Sequence, residues 1–167
     1  MRFYTEAECE EWLKGKNRLK PDGISGVQTV NVRFPSRPHR FFYYSHWIAE
    51  SISYQMPVLL WITEWGIWDS TENGHLYYRL RQSYGDQRLL WEAPGHLFLG
   101  YESEDLASFL QLSMLNGWGG YVLAQANYVN VFFSHDEYFD FFAENVDLTE
   151  FLKDLKTERP VVDPSKE

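Results

Sequence analysis

Lysine is missing from the whole stretch between Lys20 and Lys153, and residues 41–152 set three arginines, Arg79, Arg81 and Arg88, against fifteen carboxylates. That stretch has a formal charge of −12, whereas residues 1–40 come to +3 and residues 153–167 to zero. A net charge of −9 disfavours electrostatic binding to nucleic acid or to an anionic membrane. Cysteine is almost absent too: Cys9 stands alone, which excludes an internal disulfide and a thiolate metal cluster and fits a reducing, cytoplasmic setting. No apolar run approaches the roughly 18 residues that span a bilayer, and the charged N-terminal twenty residues lack the apolar core of a signal peptide. Walker, zinc-finger, HExxH, EF-hand and GxSxG spacings are missing as well, so nothing calls for a cofactor or a metal.

What the chain has in excess is aromatic side chains, 18% of its 167 residues, and six of its seven tryptophans fall in the acidic stretch. Large rings serve cores and binding surfaces alike. The length suits one domain with its own core, expected over residues 1–159, with a frayed tail over 160–167.

The periodicities predict an α+β fold in which helices pack on a mixed, mostly antiparallel sheet of five to six strands. Thr5 and Glu8 have capping-box spacing and start a short helix ending near Gly15. Val30 and Val32 alternate with Asn31 and Arg33 in a half-buried strand over 27–34. Phe41, Tyr44, Ile48 and Ile52 recur at helical spacing over 39–54. The continuous apolar run at 58–62 predicts a strand buried on both faces, placed at the centre of the sheet. Asp69, Ser70 and Thr71 are good caps for a helix carrying Tyr77, Leu80 and Tyr84 and stopping at Gly85, with Arg79 and Arg81 on its outer side. Ala93, Pro94 and Gly95 suggest a hairpin turn between 89–92 and 96–99. A helix over 104–116, capped by Ser103, buries Leu106, Phe109, Leu110 and Met114 and ends at Gly117. Strands over 121–126 and 129–133 pair around Asn127. Ser134 and Glu137 repeat the capping-box spacing, which predicts a helix carrying Tyr138, Phe141 and Phe142, with a further helix over 148–156. The strand, helix, strand unit over 27–62 is compatible with a crossover connection.

Trp61, Glu64, Trp65, Trp68, Asp69 and Glu72 cluster where a central strand gives way to a helix. Indoles and carboxylates together suit a cationic or amphipathic partner, while the same residues also suit core filling and helix capping. His135 and Asp136 are accounted for by helix initiation, and His39, His46, His75 and His96 stand singly among aromatics, as satisfied, partly buried histidines do. After the residues with ready structural roles are set aside, Glu64, Trp65, Trp68 and Glu72, with Asp140 and Glu144 on the later helix, are the candidate partner-binding residues.

The run from Glu104 through Asn116, then Gly117, Trp118, Gly119 and Gly120, a hairpin, and Ser134 to Tyr138 resembles parts of small acidic bacterial immunity-type proteins. The resemblance covers the last third of the chain and names no specific family. It implies a non-enzymatic protein that neutralises a toxin by holding an acidic surface against a basic catalytic site. The leading expectation is therefore a protein-binding domain for a basic partner. Two alternatives come from other classes. One is a small hydrolase using Glu64 or Asp69 with His75. The other is a nucleic-acid module using Lys14, Lys16, Arg18, Lys20, Arg33, Arg37 and Arg40 beside the rings of 41–44.

Overall fold

The computed structural model describes residues 1–14, 27–37, 39–53, 56–65, 74–125 and 129–156. Its elements in chain order are β1 (Arg2–Tyr4), α1 (Glu6–Leu13), β2 (Gln28–Arg33), α2 (His39–Ile52), β3 (Val58–Glu64), α3 (Gly74–Ser83), β4 (Gly95–Phe98), α4 (Ser103–Leu115), β5 (Gly119–Ala124), β6 (Asn130–Ser134), β7 (Tyr138–Ala143), α5 (Leu148–Phe151) and α6 (Lys153–Lys156). The seven strands form one sheet in the order β1-β4-β3-β5-β6-β7-β2, more strands than the sequence suggests and with every neighbouring pair antiparallel. The α+β class holds. β2 and β3, linked through α2, have three strands between them in the sheet, because the meander β5-β6-β7 fills that space. β3 is interior and buried along Val58–Ile62, one place from the middle, which β5 occupies.

Strand alternation divides the side chains into two layers. Val58, Leu60 and Ile62 of β3, Val122 and Ala124 of β5, and Phe139, Phe141 and Ala143 of β7 join the main core with α2, α3 and α4. Leu59, Trp61, Tyr121, Leu123 and Phe142 face the other way, where Cys9 and Leu13 of α1 cover part of the sheet. α1 approaches closely because β4 offers Gly95: any side chain there would collide with the Cys9 sulfur. Burial, then the α1 glutamates, push the Cys9 thiol up to about 12, so it serves as a small apolar group.

Several local expectations hold. Thr5 and Glu8 complete their capping box. Leu106, Phe109, Leu110 and Met114 are buried along α4. Gly117, at φ 65°, closes that helix as a Schellman motif, its N–H donating to Met114 O while Trp118 N–H donates to Ser113 O. Glu102 rather than Ser103 precedes α4, its carboxylate accepting from the Leu99 N–H. Residues 148–156 are helical, as two short pieces, with Asp147 as the cap.

Three further expectations fail, each for a visible reason. Residues 138–143 are strand β7, because His135, Asp136 and Glu137 form a three-residue hairpin loop from β6. Glu137 N–H donates to Ser134 O, Asp136 N–H donates to Ser134 Oγ, and Glu137 takes the left-handed conformation at φ 65°. Residues 89–92 form a turn closed by the Leu89 carbonyl, and β4 pairs with β3 and β1 instead of a hairpin mate. Arg81 is fully buried rather than on the outer side of α3. Its guanidinium donates to Asp86 Oδ1 at 3.0 Å and to Ala93 O at 3.1 Å and lies over the Phe3 ring. Burial raises the Asp86 pKa, but hydrogen bonds from Arg88 and Arg81 outweigh it and hold the carboxyl below its ordinary range.

Candidate functional site

The face of the sheet shared with α1 carries one unbroken cross-strand row: Tyr4, Gly95, Trp61, Tyr121, Phe132, Asp140 and Asn31. Tyr121 and Phe132 have ring centroids 5.0 Å apart, and Phe132 and Tyr138 6.1 Å, so a short aromatic ladder crosses β5, β6 and β7. Phe132 and Tyr138 are partly exposed on this ladder, whereas Tyr121 is buried.

Glu64 stands at one margin of the ladder. The pairing of β3 with β5 shifts register between Ile62 and Glu64, leaving Thr63 as the extra residue of a bulge. Simple alternation from Ile62 would turn Glu64 toward the main core. The bulge re-aims it onto the α1 face, above Gly119. Glu64 belongs to β3 and His135 follows β6, with β5 between, so they approach from strands about 9.5 Å apart. Gly119 has no side chain to stand in the gap, and His135 Nδ1 meets Glu64 Oε2 at 2.9 Å. That hydrogen bond raises the His135 pKa, with smaller contributions from the Asp136 and Glu64 charges. His135 Nε2 lies 3.6 Å from Asp136 Oδ1. The group is a solvent-exposed carboxylate–imidazole pair set in an acidic turn.

Asp140 stands at the other margin, beside Phe132, where it accepts a 2.7 Å hydrogen bond from Asn31 Nδ2 across the β7–β2 pair. The amide fixes the carboxylate without neutralising it.

The sequence-derived residues therefore separate. Glu64 and Asp140 share this face. Trp65 leaves it: its ring packs edge-on against Trp118 at 5.5 Å, and Trp118 in turn packs on Tyr77 of the main core. Glu144 follows the far end of β7 and is exposed. A helix would have brought Asp140 and Glu144 to one side, one turn apart; along a strand four residues span about 13 Å. Trp68, Asp69 and Glu72 lie outside the described residues. His135 has no signal of its own in the sequence, because Ser134 and Glu137 have the spacing of a helix cap. The aromatic ladder has no local sequence signal, because its members lie on three strands. An acidic residue three positions after a serine fits a hairpin loop as well as a cap, and the alternation of Phe139, Phe141 and Ala143 was the signal that separates them.

The alternative chemistries gain little local support. Glu64 has His135, not His75, as its imidazole neighbour, and His75 lies on α3 across the sheet. An open cavity of about 630 Å³ is lined by residues of β1, α1 and the 84–88 segment, and Glu64 is not among them. Of the rings beside the N-terminal cations, Phe41 packs on Phe34 and Tyr44 stacks on Phe139, which takes them from any nucleobase. No helix among the described residues is long and apolar enough to cross a membrane. No protein-family model matches the chain, and neither a curated protein nor a solved structure matches it.

Proposed function

We propose that this chain is a non-enzymatic protein-binding domain that presents the α1 face of its sheet to a basic protein, in the manner of an inhibitor or immunity protein bound to a toxin. The observation that carries this reading is the convergence of Glu64 and Asp140, distant in sequence, on either side of the Tyr121–Phe132–Tyr138 ladder. Carboxylates at the margins of an aromatic strip suit the usual division of labour in such interfaces. Charge steers encounter, and desolvated rings give the complex its lifetime. Asp136 and Glu137 project from the hairpin loop at the end of the strip.

The test is affinity capture from the source cell at low ionic strength, followed by titration of the captured protein. A basic partner is expected, and Glu64→Gln with Asp140→Asn should weaken it about tenfold or more, mainly through a slower on-rate that also loses its salt dependence. Phe132→Ala should instead speed dissociation. Capture of no specific basic protein, or a complex indifferent to all three substitutions, overturns the reading.

A further inference from the structure

We propose that His46, Glu50 and Glu104 form a binding site for a zinc-class divalent cation between α2 and α4, away from the sheet face described above. His46 and Glu50 are four residues apart on α2 and so project from one side of that helix. Glu104 arrives from the first turn of α4. One ligand atom from each side chain lies within 4.8 Å of the others. His46 Nδ1 and Glu104 Oε2 are already 3.5 Å apart, close to the roughly 3.4 Å edge of a tetrahedron built on ~2 Å metal–ligand bonds. The imidazole is held by its neighbour Phe42, whose ring centroid is 4.2 Å away.

Electrostatics adds a second argument to the geometry. Glu104 near the positive end of α4 is well placed for the helix dipole. Glu50 is not: it occupies the last turn of α2, where the dipole disfavours a carboxylate and where no basic residue is present. Among the described residues, neither glutamate has a lysine or arginine within ion-pair distance. With no lysine or arginine beside them among those residues, the two carboxylates repel each other, and a divalent ion offsets both the repulsion and the unfavourable dipole. One imidazole with two carboxylates is a nitrogen and oxygen set that suits zinc better than magnesium or calcium, and three protein ligands leave a position for water. Such a site would also tie α2 to α4, the closely packed helix pair over the main core.

The full chain, stripped with chelator, is titrated with zinc and, separately, with cobalt, whose visible absorption reports inner-sphere ligation. One ion per chain is expected, with binding weakened about a hundredfold or more in each of His46→Gln, Glu50→Gln and Glu104→Gln. Glu144→Gln should match the wild type. Far-UV circular dichroism establishes that these variants at the protein surface are folded, and the wild-type cobalt spectrum stands independently of them. Absence of zinc binding by the wild type, retention of wild-type affinity in the three variants, or loss of binding in His135→Gln instead overturns the assignment.

Discussion

Gly119 and Gly120 are neighbours in β5, and their missing side chains are used differently. A Cβ on Gly119 would meet the end of the Glu64 side chain, which is flexible; a Cβ on Gly120 would meet the Trp61 carbonyl and the Ile62 backbone, which are not. Gly119→Ala is therefore expected to fold, to displace the Glu64 carboxylate, and to let the His135 pKa fall back toward its ordinary range. A proton NMR titration of His135 measures this, and an unchanged pKa would show that Glu64 does not set it. Gly120→Ala should cost about 1–3 kcal/mol or more, the usual penalty of overpacking, in urea unfolding. Both glycines are visible in the sequence, and a backbone-turning role accounts for them there. Their use as clearance becomes apparent only when β3 and β6 are placed on either side.

At the scale of elements, legibility follows from how many readings a local pattern admits. In α4 the apolar spacing, the acidic first turn and Gly117 all agree, and helix and stop appear where expected. In 134–143 two patterns compete. Tyr138, Phe141 and Phe142 have helical spacing after an apparent capping box, while Phe139, Phe141 and Ala143 have strand spacing after a hairpin loop; pairing to both β6 and β2 decides for the strand. Arg81 was unreadable for a different reason, since its burial depends on Asp86, the Ala93 carbonyl and Phe3 arriving from three other segments. The hairpin reading has a direct consequence at Glu137, a non-glycine residue held at φ 65°. Glu137→Gly relieves that conformation and is expected to stabilise the protein, or leave it unchanged, by about 0–1 kcal/mol in denaturant unfolding. A helix N-terminus would respond oppositely, losing a favourable acidic residue and gaining a poor helix former. A loss of about 1 kcal/mol or more would count against the loop geometry.

At the scale of the whole molecule, acidity and buried chemistry pull in opposite directions as pH falls. The chain has a net charge of −9, so protonating surface carboxylates relieves self-repulsion on the way to its isoelectric point near 5.0. His96 opposes this. It is fully buried, with Nε2 2.9 Å from the Tyr77 hydroxyl, and burial, reinforced by the Arg81 charge, pushes its pKa down to about 3. The neutral ring shares a hydrogen bond with the Tyr77 hydroxyl, and the unfolded chain, whose histidine titrates at about 6.5, takes up a proton that the folded chain refuses. The stability from His96 is thus complete above pH 6.5 and is lost as pH falls from there toward 3, approaching a tenfold change in the folding equilibrium per pH unit. Asp86, held low by Arg88 and Arg81, adds a loss of the same sign further into acid. Equilibrium unfolding should therefore show stability declining between pH 6.5 and 5 even as net charge approaches zero. His96→Gln keeps a hydrogen-bonding partner for Tyr77 but cannot titrate. It should be less stable at pH 7.5 and show a flatter dependence below 6.5. Equal slopes in the two proteins would mean that His96 takes up its proton in the folded state, and the buried Tyr77–His96 pair would then have to open below neutrality.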